Sequence, residues 1–321
     1  MAYQNVGTPR FYVDLAAFNH ATGFHTATLT DLAGSGMFDP VTNVFGLNPH
    51  SPILYTGLGY GGLDVKNFGN TNYLAILGHS GLLDCHVDGI DASDCSVIVN
   101  SGLDTFYKPS YSGFSIHEFP VSNDDVITVV ANIDSGGYIG AISIGTYYDM
   151  PHSPDLKLTM TREMDGVKRI RTKGGADLVD HKYTKPPLWG DAAPWELYSG
   201  TETSTQSLSR TGRRTWSLSF SYLADSDIFP DVSSLHNYET TSPDGVVWNT
   251  SLNLTNNTLL NEDTFYSQVI HKTNGGQLPF IFQPDKNDLQ FAICKFDMNT
   301  FQFKQVANGV YNVKLKIREV W

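Results

Sequence analysis

Residues 311–321, YNVKLKIREVW, alternate apolar and polar side chains up to the last residue. The same alternation occurs in RRTWSLSF at 213–220 and in the apolar end of GGQLPFIF at 275–282. A period of two residues is that of a β-strand with one buried face. We therefore predict a strand at each of these three places. Because a strand needs partners for its backbone hydrogen bonds, we also expect the strand at 311–321 to be paired.

The remainder of the chain also favours short strands. Strand-like runs recur between residues 53 and 146, separated by turns rich in Gly, Asn, Asp and Ser, without intervening segments of helical period. Hydrophobic residues make up 40% of the 321 residues, and 29 glycines and 15 prolines supply many turns. We predict an all-β protein built from antiparallel β-sandwiches. One short helix is expected at 264–271, after the capping residues 261–263 and before Gly275-Gly276.

The charge distribution changes near residue 150. Residues 1–150 hold three basic and 14 acidic residues, a net charge of −11, whereas residues 151–321 carry a net charge of −1. Segment 149–154 contains two prolines, which fix their own backbone and favour an extended residue before them. We therefore predict two β-sandwich domains, an acidic one at 1–150 and a second at 151–321, joined by a stiff connection.

Charge and composition exclude several classes of function. An acidic protein with a net charge of −12 lacks the basic surface that sequence-specific DNA binding requires. No window of about 18 apolar residues is present, and the first residues lack the basic and apolar regions of a signal peptide. We expect no membrane insertion and folding in a cytoplasm. Three scattered cysteines, Cys85, Cys95 and Cys294, favour free thiols over disulfides or a zinc site.

No motif indicates an enzyme. Residues 57–62, GLGYGG, match the spelling of a dinucleotide-binding loop, but the residues after them favour a turn where that loop needs a helix. A glycoside-cleaving site needs two carboxylates in one cleft, and no motif identifies such a pair. We predict no catalytic residues and no cofactor.

The densest carboxylate cluster consists of Asp84, Asp88, Asp91 and Asp94. Calcium binds several oxygen ligands that converge on one loop, so this cluster is the best metal candidate in the chain. Its spacing differs from the alternating pattern of a known calcium loop, and Asp-rich turns are common in acidic sandwiches. We therefore predict no metal and keep the cluster as a weak calcium candidate.

The order of the closing segments resembles minor tail and distal tail proteins of tailed bacteriophages. A Trp-containing strand at 213–220 comes first, then a Gly-Gly turn before a short apolar run with Asp285, then the strand IREVW at 317–321. The resemblance covers about residues 156–321, which it implies to be a tail tube-like β-sandwich with a short packed helix. In well-known distal tail proteins this domain precedes the accessory sandwich, whereas here it follows it.

The same resemblance implies a structural function in the virion. The protein would form a trimeric or hexameric ring that joins the tail tube to the baseplate or tip, after assembly in the host cytoplasm. Its partners would be further copies of itself, the tail tube, the baseplate hub and fibres. Genomic DNA would pass through the ring without specific binding, which an acidic channel wall would suit, although solubility explains an acidic surface equally well.

Five residues are candidates for the contact between subunits. Two of them, Trp189 and Trp195, lie in a long irregular stretch at 174–207, and loops of that length are usually functional or ordered by a partner. The others are Arg213, Arg214 and Trp321. Alternation places Arg213 and Arg214 on opposite faces of their strand, which favours a salt bridge between subunits over phosphate binding.

An alternative function is a carbohydrate- or receptor-binding module that contacts the host surface. Tyr107 and Tyr111 flank Pro109 in a loop of the first half, and an exposed aromatic ring stacks against the C–H face of a sugar. Under this hypothesis the acidic first sandwich is carbohydrate-binding-like and the two tyrosines contact a host glycan. Packing within the loop or at a subunit contact is the other interpretation of these tyrosines.

Overall fold

The computed structural model describes residues 6–23, 29–31, 53–54, 57–64, 71–78, 80–89, 97–99, 114–122, 126–163, 167–181, 196–198, 213–230, 262–288 and 290–320. Within these ranges the protein is mostly β, with a few short helices, so the all-β prediction is confirmed at this level. The strands are β1 (Arg10–Asp14), β2 (Leu29–Asp31), β3 (Ile53–Leu54), β4 (Gly57–Asp64), β5 (Thr71–Leu77), β6 (Ser80–Gly89), β7 (Val97–Val99), β8 (Phe114–Ser122), β9 (Val126–Ile139), β10 (Ala141–Asp149), β11 (Thr159–Glu163), β12 (Val167–Arg171), β13 (Asp177–His181), β14 (Glu196–Tyr198), β15 (Arg213–Ala224), β16 (Phe280–Gln283), β17 (Gln290–Phe296), β18 (Phe303–Ala307) and β19 (Val310–Glu319). The helices are α1 (Leu15–Thr22), α2 (Asp225–Ile228) and a π-helix (Tyr266–His271).

One large antiparallel sheet dominates the described part of the chain. Its strand order is β11-β15-β19-β17-β16-β1-β10-β5-β8, with β14 added beside β17 and β18 beside β19. A second sheet has the order β2-β4-β9-β6-β7, with β3 beside β9, and β12 pairs only with β13 among the described strands. The strands expected within 213–220, 275–282 and 311–321 are present as β15, β16 and β19, the last of which ends at Glu319.

The large sheet is continuous across residue 150. Strand β1 lies between β16 and β10, so that Phe11 is opposite Phe282 on one side and opposite Tyr148 on the other. The backbone of the first half is therefore hydrogen-bonded directly to that of the second half. The division into domains at 1–150 and 151–321 remains a prediction, and any such domains share this sheet.

Strand β19 is paired on both sides, as expected for a strand with one buried face. Strand β15 lies along one edge of β19, while β18 and β17 lie along the other edge. The inward-facing side chains of β19 and β15 are buried, and they include Tyr311, Val313, Leu315, Ile317, Trp216, Leu218 and Phe220. Fully burying one such side chain contributes about 1.5–3 kcal/mol relative to its exposed state, so this interface holds β19 in place.

Both faces of the central strands are apolar. Phe11, Phe280 and Phe282 belong to a core on one face, whereas Tyr12 and Ile281 belong to a second core on the opposite face. In the first core, the ring of Phe11 lies 5.3 Å from that of Phe282 and 5.8 Å from that of Phe265, centroid to centroid. Because successive residues of a strand point to opposite faces, strands covered on both sides need continuous apolar runs such as residues 280–282.

The helix expected at 264–271 is present as the π-helix at Tyr266–His271. Its start differs from the expected cap, because the Thr264 hydroxyl accepts the Ser267 N–H at 3.2 Å, whereas residues 261–263 were expected to cap it. Phe265, Val269 and Ile270 are buried in the first core. The helix ends in turns with Gly275 and Gly276 at positive φ, as the Gly-Gly pair predicts.

Candidate functional site

The β12–β13 hairpin is the most exposed apolar element of the described chain. Ile170 and Leu178 are opposite each other across its two strands and are 48% and 59% exposed, and Val179 is 43% exposed. The turn is closed by the Thr172 hydroxyl, which accepts the Ala176 N–H at 3.1 Å, and contains Gly175 at φ +84°. The turn thus holds two short strands that expose these three apolar side chains to water.

The hairpin and its turn also carry four of the 18 basic residues of the second half. Lys168, Arg169, Arg171 and Lys173 lie on it, against Asp177 and Asp180. Within the ranges that the structure describes, neither strand pairs with any other strand. An isolated two-stranded hairpin is marginally stable in water, so its exposed apolar residues indicate a surface that another element covers.

A second surface lies on the outer face of β15 and β19. The side chains that alternate with the buried ones on these strands are polar, and Ser217 is opposite Lys316 while Ser219 is opposite Lys314. These four residues line a groove of about 270 Å³ together with Lys157, Leu218, Met298 and Leu315. Its lining, taken from the described residues, includes three lysines and no carboxylate.

The basic character extends along this outer face. Arg318 lies opposite Thr215 on β15 and opposite Lys295 on β17, and Arg213 lies farther along the same face of β15. Two carboxylates pair with these bases: Glu163 accepts from Arg318 at 2.5 Å, and Asp297 accepts from Lys316 at 2.6 Å. This face therefore carries more positive than negative charge, although the whole chain has a net charge of −12.

Arg214 lies on the opposite, buried face of β15. Its Nε donates to Glu319 Oε1 at 2.6 Å, its backbone N–H donates to the same carboxylate, and its guanidinium lies 5.0 Å from the centre of the Trp216 ring. Glu319 is fully buried and Arg214 is 6% exposed. Arg213 and Arg214 thus lie on opposite faces of their strand, and Arg214 forms its salt bridge within the chain.

A group of charged residues joins three strands at the other end of the sheet. Arg10 on β1 donates to Asp149 on β10 at 2.5 Å and to Glu118 on β8 at 2.5 Å, and Tyr12 donates to Glu118 at 2.7 Å. Burial favours the neutral form of Asp149, but hydrogen bonds from Arg10 and Lys286 outweigh it and lower the pKa of that carboxyl. This group is a structural network that fixes strand register.

Two titratable side chains, Asp14 and Lys272, are buried. Burial raises the pKa of Asp14 to about 7, although its carboxylate accepts the Ala17 N–H at 3.0 Å and caps α1. Burial lowers the pKa of Lys272 to about 8, and its ammonium donates to Gln268 Oε1 at 2.7 Å. Both groups are enclosed, so they affect stability and not a surface reaction.

Several predicted site residues lie outside the described residues: Tyr107, Tyr111, Trp189, Trp195, Trp321, Asp91 and Asp94. Asp84 and Asp88 lie on β6, opposite Asn132 and Thr128 of β9. Residues 57–62 lie in β4, which pairs along its length with β9, so the GLGYGG segment is a strand. Over the described ranges, no group of His, Cys, Asp or Glu is arranged to hold a metal ion.

Neither the exposed hairpin nor the groove was predicted from the sequence. The hairpin had a usable signal, because VKRIR at 167–171 and DLVDH at 177–181 flank the turn residues TKGGA and share a period of two. The sequence signal for the groove was weaker. Lys314 and Lys316 are outward positions of a predicted strand, but their neighbours Lys157 and Met298 are brought to them only by the fold.

Comparisons with known proteins add no relative. No family model, no curated protein and no solved structure matches this chain. Among the helices of the described residues, none is long and apolar enough to cross a membrane.

Proposed function

We propose that this chain is a virion structural protein of a tailed bacteriophage, a distal tail or minor tail component that assembles into a ring joining the tail tube to the baseplate or tip. In this proposal it comprises an acidic accessory β-sandwich and a tail tube-like β-sandwich. The single observation that carries self-assembly is the β12–β13 hairpin, which is basic, apolar and exposed on a chain whose first 150 residues carry a net charge of −11.

The charge difference favours contact between copies of the chain. A basic apolar hairpin on one copy and an acidic surface on the next are two different patches of the same molecule. Such a contact is heterologous, and a repeated heterologous contact closes into a ring when the rotation between copies is suitable. Opposite charges would select the partner and speed association, while the apolar side chains would supply the burial.

The edge of the large sheet supports the same proposal. Strand β11 is the last strand in the sheet order and pairs only with β15 in the described part of the chain. Its residues are exposed over most of its length, and Met160 is 47% exposed. An open edge with an exposed apolar side chain is a site where a further strand can add, and an assembled ring would cover it.

The other partners follow from the proposed ring. The tail tube, the baseplate hub and fibres would contact its faces, DNA would pass without specific binding, and Trp189, Trp195, Arg213 and Trp321 are proposed contact residues. Arg214 has little exposed surface for such a contact. The alternative function as a glycan-binding module depends on Tyr107 and Tyr111, and no observation on the described residues favours it.

A measurement of molecular mass in solution tests the hairpin contact. Light scattering on the wild-type chain should give a mass that is a multiple of 35.4 kDa and that falls towards the monomer as salt rises. The double variant Ile170→Thr/Leu178→Thr keeps β-forming residues in the hairpin while removing its apolar surface, so it should remain monomeric.

The matched control is Val306→Thr. Val306 is 45% exposed on β18, which belongs to the large sheet and not to the hairpin, so its replacement should leave assembly unchanged. Assembly of the hairpin variant at wild-type concentrations would contradict the proposal, as would equal loss of assembly in the Val306 variant.

A further inference from the structure

We propose that the groove on the outer face of β15 and β19 binds a small phosphate-bearing anion through Lys157, Lys314 and Lys316. This inference goes beyond the ring and does not depend on it, because the β12–β13 hairpin contributes no lining residue. The groove has a volume of about 270 Å³, which is enough for a compact ligand such as pyrophosphate with bound water.

Position and register hold two of the lysines on one surface. Lys314 and Lys316 are alternate residues of β19, so both side chains point out of the same sheet face. Ser219 and Ser217 lie directly opposite them on β15, so two hydroxyl groups line the same groove. Hydroxyl and ammonium donors together suit the several oxygens of a phosphate group.

The third lysine is fixed by the segment before β11. The backbone N–H of Asp155 donates to the Ser219 carbonyl at 2.7 Å, and the Ser221 hydroxyl donates to the Asp155 carboxylate at 2.8 Å. These bonds attach the chain two residues before Lys157 to the outer side of β15. The backbone that carries Lys157 is therefore already in place beside the groove, and ligand binding has to order only its side chain.

The charges in the groove are poorly compensated. In the part of the chain that the structure describes, Lys157 and Lys314 make no ion pair, and Lys316 shares its charge with Asp297 at 2.6 Å. Three like charges around one groove repel each other, and an anion with more than one negative charge relieves that repulsion. Lysine binds phosphate as a point charge with three donors, so it needs no planar bidentate ligand.

Calorimetric titration with pyrophosphate at fixed ionic strength tests the site. The wild-type chain should bind one equivalent per chain with saturation. Lys314→Met retains the aliphatic stem and removes the charge, so it should weaken binding by about tenfold or more, as loss of a charged hydrogen bond does. Lys304→Met is the matched control, since Lys304 is an exposed lysine on β18 that does not line the groove.

A second variant keeps the test valid if the first does not fold. Lys157 lies outside the strands of the described chain, so Lys157→Met should retain the fold and also weaken pyrophosphate binding. The proposal is overturned if pyrophosphate does not saturate, if Lys304→Met weakens binding as much as the groove variants, or if citrate binds as tightly as pyrophosphate. None of these outcomes bears on ring assembly, which the mass measurement tests separately.

Discussion

Replacement of Asp14 by asparagine should change how stability depends on pH. Asp14 is 5% exposed and caps α1, and burial raises its pKa from 3.8 to about 7. Because the folded pKa lies above the unfolded one, the folded state disfavours the carboxylate. The free energy of unfolding is therefore highest when Asp14 is protonated, falls as pH rises from about 4 to 7, and levels off above that range.

The magnitude follows from the two pKa values. Each pKa unit is worth about 1.4 kcal/mol, so full ionisation of Asp14 costs the folded state about 4 kcal/mol. Between pH 5 and pH 8 the cost rises by about 2.5 kcal/mol. The asparagine side chain does not ionise and keeps an oxygen to accept the Ala17 N–H. The free energy of unfolding of Asp14→Asn, minus that of wild type, should thus be larger at pH 8 by about that amount.

Urea denaturation of both proteins at pH 5 and pH 8 measures this difference. The asparagine amide also places a donor near the Ile144 N–H and the Ser143 hydroxyl, groups that hydrogen-bond to the carboxylate in wild type. This new donor changes the free energy of unfolding by the same amount at both pH values. The test is therefore how the difference between variant and wild type changes from pH 5 to pH 8, and not the size of that difference at one pH. An offset that is the same at pH 5 and pH 8 would refute the raised pKa.

Three further variants test the interior. Glu319→Gln leaves the buried Arg214 guanidinium without its counter-charge, so urea denaturation should show a free energy of unfolding lower by about 3–5 kcal/mol. Replacing both Glu319 and Arg214 by the apolar residues Leu and Met should lower it much less. Gly145→Ala would place a Cβ 2.1 Å from the Val13 carbonyl oxygen, so β1 and β10 must separate and the melting temperature should fall by an amount equivalent to about 1–3 kcal/mol. Burial lowers the pKa of Lys272 from 10.5 to about 8, so protonation of this lysine opposes folding, and that cost declines as pH rises through this range. Lys272→Met should therefore show a smaller rise in the free energy of unfolding between pH 8 and 10.5 than wild type, and an unchanged pH dependence would contradict the lowered pKa.

The local elements were predictable because period and turn residues are local signals. Strands β15, β16 and β19 lie where the alternation in 213–220, 275–282 and 311–321 places them. The helix at Tyr266–His271 was predictable in position from Gly275-Gly276. Its π geometry was not, because the hydrogen-bond pattern depends on how the Phe265 turn packs in the core.

The pairing of distant strands was not predictable from the same signals. The alternation in RFYVD at 10–14 indicates a strand but not its neighbours, and β1 lies between strands from opposite halves of the chain. The charge change at residue 150 describes surface composition, which does not constrain which backbones pair. A continuous sheet therefore crosses a boundary that composition alone suggests.

The buried ion pair had a partial signal in the sequence. Glu319 continues the inward series Tyr311, Val313, Leu315 and Ile317, so the alternation puts a carboxylate in the core. A buried carboxylate requires a cationic or hydrogen-bonding partner. That Arg214 supplies it depends on the pairing of β15 with β19, in which Thr215 lies opposite Arg318. The strand pattern thus predicts the need for a partner, and the register identifies it.

Electron microscopy of the purified chain tests the central proposal most directly. The wild-type chain should form closed rings with an open lumen and rotational symmetry, in which the β12–β13 hairpin of each copy lies against its neighbour. Isolated particles of a single chain, at concentrations and salt where light scattering also gives 35.4 kDa, would contradict it.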